Sequence, residues 1–306
     1  MKGKKVLVTG GCGFIGHNLV VKLAESCEVI VVDNLSGGDL RPRAEGVRYE
    51  HFDIADKENA DSLAKACEGV SHVFHLAALP RVQASYERPV ETFMANALGT
   101  AMVLDAAHKA GVERVVFASS SSVYGDTGAL PLHEGMQPYP MSPYAHHKHM
   151  GEQLCESFSA EPFNLQTVCL RFFNVYGPWA DPNGAYALVV AKFLEQRRRG
   201  EPLTITGDGT QTRDFTHVSD VVRAMIMAAE DEDEWWGDAV NIGGGKQVSV
   251  NRVAELIGGP ATHIEARLEP HDTLASIRKA KEELGWEPRV PFEEGIRQLI
   301  ESNQPQ

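Results

Sequence analysis

Residues 4–16 constrain this chain more than any other stretch. A short apolar run at residues 4–9, Lys-Lys-Val-Leu-Val-Thr, leads without a spacer into Gly10-Gly11-Cys12-Gly13-Phe14-Ile15-Gly16. Apolar Leu19, Val20 and Leu23 then recur at helical spacing over residues 17–26, and a second apolar run at 29–32 ends at Asp33. Strand, glycine turn, helix and strand with a terminal acid make up the first unit of a doubly wound, mostly parallel α/β sheet. Glycine permits the tight turn, lets the backbone approach a pyrophosphate and lets helix and strand pack closely, while the helix N-terminus faces the anion. Gly10, Gly13, Phe14, Ile15 and Gly16 are therefore the expected dinucleotide cradle. Asp33, followed by Asn34, stands where a carboxylate accepts hydrogen bonds from the adenosine ribose and repels a 2′-phosphate, which favours NAD over NADP.

Composition narrows the partners. The 306 residues can bury a substantial core, and a net charge of −13 provides no general attraction for nucleic acid or an anionic membrane surface. Any bound phosphate must be held by local donors. The five cysteines (Cys12, Cys27, Cys67, Cys155, Cys169) form no C-x-x-C pair, and no signal peptide or long apolar run is evident. The expectation is a cytoplasmic protein with reduced thiols.

A third strand at 47–52 ends at Asp53-Ile54, where the acid is a candidate for the adenine edge or an N-cap for a helix at 57–66. A fourth strand, 72–76, closes with Leu76-Ala77-Ala78, small enough to let a flat ring lie on the backbone. Phe93, Ala97, Ala101 and Leu104 predict one long helix over 90–109, with Asn96 as a structural polar residue inside it. A fifth strand, 114–118, runs into Ser119-Ser120-Ser121-Ser122-Val123-Tyr124-Gly125, placing hydroxyls at a carboxyl end of the sheet, where ligands bind in open α/β folds. After a sixth strand at 166–172 the chain becomes richer in loops from Asn174 onward. Thr212-Arg213-Asp214-Phe215-Thr216-His217-Val218 returns it to the main sheet, with Arg213 suited to a phosphate. The expected organisation is a Rossmann-type NAD-binding domain at 1–173, completed by about 214–242, and a smaller α/β domain from 174–213 and 243–306 that covers a ligand.

Tyr144 and Lys148 lie four residues apart just after Ser142-Pro143. On a helix that spacing puts both side chains on one face, where an ammonium can lower a phenol pKa from about 10 toward neutrality. A tyrosine tuned in that way is a general base. The nearby His146, His147 and His149 lack an acidic or cysteine partner in sequence, so no metal is expected.

Taken together, TGGCGFIG, DNLSGG, HLAA, SSSSVYG, SPYAHHK, RFFNVYGP, GDGTQTRDFTHVSD and KAKEELGW resemble, in order, the extended short-chain dehydrogenase/reductase family, in its nucleotide-sugar epimerase branch. The resemblance covers nearly the whole chain. It implies Tyr144 as catalytic base, Lys148 on the nicotinamide ribose and Ser120, five before Gly125, as the serine on the reacting sugar hydroxyl. Related 4,6-dehydratases carry acids at the next two positions and UDP-glucuronate decarboxylases carry one, whereas this chain has Ser121 and Ser122. The implied reaction is therefore oxidation and re-reduction at the sugar C4, with Asn174 and Arg213 on the diphosphate.

Asp181-Pro182-Asn183-Gly184-Ala185-Tyr186 is similar to a stretch in UDP-N-acetylhexosamine 4-epimerases, and Thr273 aligns with the family's sugar-pocket gatekeeper. The family usually has an arginine three residues before the acid aligned with Glu269. Here that position is Ala266, with Arg267 beside it as the substitute phosphate contact. The resemblance thus implies an NAD-dependent UDP-sugar 4-epimerase acting on UDP-glucose/UDP-galactose, UDP-N-acetylhexosamines or both, as a homodimer through helices near 90–109 and 144–159. The alternatives are a UDP-glucuronate 4-epimerase and a non-catalytic NAD-binding regulator.

Overall fold

The computed structural model describes residues 1–42, 44–182, 189–266 and 270–302. Its strands are β1 (Lys5–Thr9), β2 (Glu28–Asp33), β3 (Val47–His51), β4 (His72–His75), β5 (Arg114–Ser120), β6 (Gln166–Phe172), β7 (Val175–Tyr176), β8 (Leu203–Thr206), β9 (Thr212–Asp214), β10 (Thr216–His217), β11 (Trp236–Ile242), β12 (Gln247–Ser249) and β13 (Ala261–Ile264). Seven of them form one sheet in the order β11-β6-β5-β4-β1-β2-β3, parallel throughout. The order reverses between β1 and β4, and the crevice at such a reversal is where open α/β sheets bind ligands.

The helices are α1 (Phe14–Ala24), α2 (Ala60–Cys67), α3 (Val82–Glu87), α4 (Pro89–Phe93), α5 (Gly99–Lys109), α6 (Pro143–Ser159), α7 (Val189–Arg199), α8 (Val218–Glu230), α9 (Val250–Ile257), α10 (Arg278–Glu282) and α11 (Phe292–Ser302). Central strands buried on both faces read as unbroken apolar runs, such as Val-Ile-Val-Val in β2, because helices cover each side. Leu19, Leu23, Val221, Met225 and Trp286 pack with one face of the sheet, and Leu63, Val103, Leu104 and Cys155 with the other. A further cluster, Phe193, Leu203, Phe215, Val253 and Ile296, forms around the short strands, with Phe215 and Phe292 stacked at 4.8 Å.

Two expectations change. The helix expected over 90–109 runs unbroken from Pro89 to Lys109, but it carries a π-helical turn at Met94–Leu98 between α4 and α5. Within that turn Asn96 accepts from Leu79 N at 2.7 Å and donates to Leu79 O at 3.0 Å, pairing with the backbone after β4 as a strand would. Thr100 Oγ1 donates to Asn96 O at 2.7 Å, so the widened turn is held from both sides. The acid that caps the helical turn at Lys57–Asn59 is Asp56, which accepts from Glu58 N; Asp53 instead accepts from Ala55 N at 2.8 Å.

Candidate active site

A cavity of about 390 Å³ lies at the carboxyl ends of β1, β2, β4, β5 and β6. Gly10, Gly13, Phe14, Ile15, Gly16, Asp33, Asn34, Asp53, Ile54, Leu76, Ala77 and Ala78 line it, and so do Ser120, Tyr144 and Lys148. The glycine turn is built for close approach. A Cβ at Gly16 would come 2.1 Å from Gly10 O, and Gly10, at φ +72°, passes so near β4 that a Cβ would meet Ala77 N at 2.6 Å. No described side chain caps the start of α1, its first turn carries no acid, and a Cβ at Gly13 would approach only Gly10 O, at 3.5 Å. The amide end of α1 thus faces open space that suits an anion.

Asp33 closes the other side of the turn. Its carboxylate accepts from Cys12 N at 2.9 Å and from Leu35 N at 2.8 Å. Burial pushes its pKa up while those two N–H groups pull it down. Asn34 donates to Asp53 at 3.0 Å, joining the two acids at one end of the cavity. The loop of Ser36, Gly37, Gly38 and Leu40, the end of the DNLSGG motif and the residues just after it, completes the wall, although it was not among the expected site residues. An adenosine ribose fits the acids, a pyrophosphate the α1 terminus, and a flat ring the Leu76-Ala77-Ala78 bed, so the residues fit a dinucleotide.

The bed is fixed from behind by a buried relay. His75 is fully enclosed, and burial depresses its pKa to about 3, so the ring is neutral. It bridges Thr9 Oγ1 at 2.7 Å through Nδ1 and Thr100 Oγ1 at 2.9 Å through Nε2. Because the Thr100 hydroxyl proton goes to Asn96 O, Thr100 must accept from His75 Nε2–H. Nδ1 is then the acceptor for Thr9, whose oxygen receives Ala77 N–H at 3.4 Å. One proton arrangement therefore links β1, β4, the π-helical turn and the ring bed.

At the far end of the cavity α6 delivers Tyr144 and Lys148. Ser142 Oγ accepts from Ala145 N at 3.2 Å as N-cap, Pro143 occupies the first turn, and Tyr144 N donates to Ser85 Oγ at 3.1 Å. Both side chains are buried, and Lys148 Nζ donates to Ala118 O at 2.8 Å above the Phe117 ring. The expected lowering of the phenol pKa is not found. Burial pushes Tyr144 up to about 12, against the pull of a hydrogen bond with Ser120, and burial presses Lys148 down to about 8. Desolvation disfavours each charged form and sets the direction of both shifts.

Sequence reading missed what lies behind these residues. Glu152, one helical turn beyond Lys148, accepts from Arg171 Nε and Nη2 at 2.8 Å each and from Ser119 Oγ at 2.6 Å. Burial raises the Glu152 pKa, but the bonds from Arg171, His149 and Ser119 overcome it and hold the carboxyl at about 2. Arg171 also lies over the Tyr124 ring at 4.7 Å, and Tyr124 donates to Asn241 Oδ1 at 2.7 Å. The available signal was a charged residue inside the apolar strand Val-Cys-Leu-Arg-Phe.

The residues expected on the substrate side divide. Ser120 Oγ accepts from Ser122 N at 3.2 Å, capping a short turn at Ser121–Tyr124, while the Ser122 hydroxyl is buried without a partner among the described residues. Ser121 does not line the cavity itself. Asn174, Arg213 and Thr273 gather in a second cluster. Asn174 Nδ2 donates to Asp214 O at 3.2 Å, Asp214 N donates to Thr273 Oγ1 at 3.3 Å, and Arg213 Nη1 donates to Thr212 O and His271 O at 2.9 Å each. Arg267, Glu269 and residues 183–186 lie outside the described residues.

A reversed parallel sheet, an uncapped glycine-turn helix and a Tyr/Lys pair at the ring end of one cavity define a Rossmann-type dinucleotide enzyme. The profile of the NAD dependent epimerase/dehydratase family matches residues 6–243, and the chain belongs to that family, with NAD as its cofactor. It is 34% identical to a UDP-N-acetylglucosamine 4-epimerase from Methanobrevibacter ruminantium solved with UDP-N-acetylmuramic acid, at TM-score 0.91 over 98% of each chain. It is 35% identical to a UDP-glucose 4-epimerase from Thermotoga maritima solved with UDP-glucose, at TM-score 0.90 over 97% of each. A UDP-glucuronic acid 4-epimerase from Bacillus cereus, solved with UDP-glucuronic acid and NAD, is 29% identical at TM-score 0.87, covering 98% of this chain and 100% of that one.

Proposed function

We propose that the protein is a UDP-sugar 4-epimerase whose substrates are UDP-glucose/UDP-galactose, UDP-N-acetylhexosamines or both. The observation that carries this reading is the meeting of Tyr144, Lys148 and Ser120 at one end of the dinucleotide cavity. Hydroxyls follow them at Ser121 and Ser122, where related dehydratases and decarboxylases hold carboxylates. NAD, when bound, supplies the acceptor and then the donor of one hydride. Tyr144 Oη takes the proton of the sugar O4 hydroxyl, and Ser120 Oγ shares that hydrogen bond. Lys148, on the same helical face, stabilises the phenolate that the buried site otherwise disfavours. Asn174, Arg213 and Arg267 hold the diphosphate while the 4-keto sugar turns over to present the other face of C4 for re-reduction, and Tyr144 returns the proton to O4. Thr273, a small residue, leaves room for an acetamido group.

UDP-glucuronate is the second reading, supported by the likeness to the Bacillus cereus enzyme. The test is incubation of the purified protein with a panel of UDP-sugars, without added NAD, with products read by proton NMR. Turnover of the neutral or N-acetylated sugars supports the first reading. Turnover of UDP-glucuronate alone replaces it with the second, and turnover of none overturns both in favour of a non-catalytic NAD-binding protein.

The functional unit is a homodimer in this reading. Val82, Val90 (74% exposed), Phe93, Met94 and Met150 present apolar surface on α3, α4, the π-helical turn and α6, elements that pack on one another. A second copy covers that face, and a monomer at micromolar concentration by light scattering rules it out. All five cysteines are free and buried, which fits a reducing, cytoplasmic setting.

A further inference from the structure

Asp214 joins Asn174, Arg213 and Thr273, the three residues of the second cluster, through its backbone, while its buried side chain is engaged by other groups. Its backbone carbonyl takes the Asn174 amide at 3.2 Å, its backbone N–H goes to Thr273 Oγ1 at 3.3 Å, and Arg213 precedes it in β9. The carboxylate accepts from Gly244 N at 2.6 Å, Gly245 N at 3.0 Å and Ala275 N at 2.9 Å. These donors belong to two separate segments. Gly244 and Gly245 form the turn into β12, which runs antiparallel to β9 with Val248 opposite Arg213. Ala275 ends the Thr273-Leu274-Ala275 segment, which is itself stitched to Leu132.

The glycines at this turn are required by the carboxylate. A Cβ at Gly243 would meet Ala275 Cβ at 2.4 Å and Asp214 Oδ2 at 3.1 Å, and one at Gly244 would meet Phe215 O at 2.4 Å. Backbone therefore comes closer to Asp214 than any side chain would allow. A carboxylate is the only short side chain with enough acceptor sites to take three N–H groups from two directions. It is enclosed and its bonded donors are all backbone N–H groups, so their directions, set by two loops, fix where Asp214 sits.

We propose that Asp214 is a positioning residue for substrate: its carboxylate clamps the 244–245 turn to the 273–275 segment. The clamp thereby sets Arg213, Asn174 and Thr273 in the geometry that grips the nucleotide diphosphate and the sugar. This rests on the epimerase reading and goes beyond it by naming what holds the grip in place. Asp214 itself touches neither substrate nor cofactor.

Asp214→Asn tests the clamp, because the amide keeps the shape but turns an NH2 toward backbone donors. A misplacement of about 1 Å made from a distance can cost up to roughly a hundredfold. The expected result is a rise of that size in KM for UDP-glucose or UDP-N-acetylglucosamine, whichever the wild type turns over. The affinity for UDP alone, by calorimetry, should fall in parallel, with kcat within threefold and NAD content unchanged. A fall in kcat or NAD content with KM unchanged overturns the proposal, as does no change in any of these. Gly245→Ala serves if the first variant does not fold. Its φ of +68° disfavours a side chain while the nearest atom to a new Cβ, Ile277 Cδ1, is 3.5 Å away, so it shifts one clamped N–H without filling the site. The same KM rise is expected, and an unchanged KM counts against the clamp. Arg213→Ala, measured alongside, separates the two failures. If it leaves KM and UDP affinity unchanged, the substrate site itself is wrong; if it raises them while Asp214→Asn does not, only the clamp is wrong.

Discussion

Replacing Glu152 by glutamine removes a charge from a pair whose side chains are only 5% (Arg171) and 7% (Glu152) exposed. The change keeps the shape but leaves the Arg171 guanidinium buried without a counter-charge, and its Nη1 already has no partner among the described residues. Breaking one side of such a pair costs about 3–5 kcal/mol. The pKa shift gives the same order. A carboxyl held at about 2 instead of 4.5 is worth about 3 kcal/mol at neutral pH. At roughly 2–3 °C per kcal/mol for a chain of this size, the melting temperature should fall by about 6–15 °C, read by calorimetry with saturating NAD.

The sign of the pH dependence follows from the depressed pKa. The stabilisation is fully present above pH 4.5 and is lost as pH falls from there toward 2. Wild type should therefore lose its advantage over Glu152→Gln progressively below that pH, between about pH 4.5 and 2 in urea titrations. Removing both charges together, as Glu152→Leu with Arg171→Met, should recover most of the loss, because the penalty comes from the stranded cation. A single variant melting within about 2 °C of wild type, or a double variant no better than the single, would refute the reasoning.

Three further outcomes are expected. Tyr144→Phe should lower kcat by about 10²- to 10⁴-fold while leaving NAD content and substrate KM near wild type; unchanged turnover would remove Tyr144 from the mechanism. Trp179, 59% exposed, lies against His17 of α1 with ring centroids 4.7 Å apart and planes tilted by 41°, and Pro178 O beside it accepts from Asn18 at 3.2 Å. Trp179→Ala should therefore speed NAD release by roughly two- to tenfold in stopped-flow chase experiments, and an unaltered rate would show that this contact does not retain the cofactor. Gly16→Ala would place a methyl 2.1 Å from Gly10 O, so the protein should purify without NAD and melt several degrees lower; a variant that keeps stoichiometric NAD would contradict the close packing of that turn.

What could be read from the chain alone was local. The glycine turn, the acid ending β2 and the Tyr144/Lys148 spacing each lie within one or two adjacent elements, so periodicity and spacing carry them into space with little ambiguity. The parallel sheet followed from the same alternation of strand and helix. The hydroxyl run after β5 was legible for a similar reason, since a turn at the carboxyl end of a strand faces the crevice in this class of fold.

What only the tertiary structure decided are pairings between residues distant in sequence. Glu152 with Ser119 is 33 residues apart, Asp214 with Ala275 is 61, and His75 with Thr9 is 66. No local preference reveals which buried polar group will satisfy which other, because that depends on the register of strands and the docking of loops. The π-helical turn is of the same kind: its apolar stripe reads as plain helix, and only the Leu79 backbone across from Asn96 makes the extra residue favourable. The phenol illustrates the limit most directly. Spacing placed Lys148 beside Tyr144, but the sign of the pKa shift was decided by how deeply the sheet and α6 bury them, and burial is a property of the whole fold.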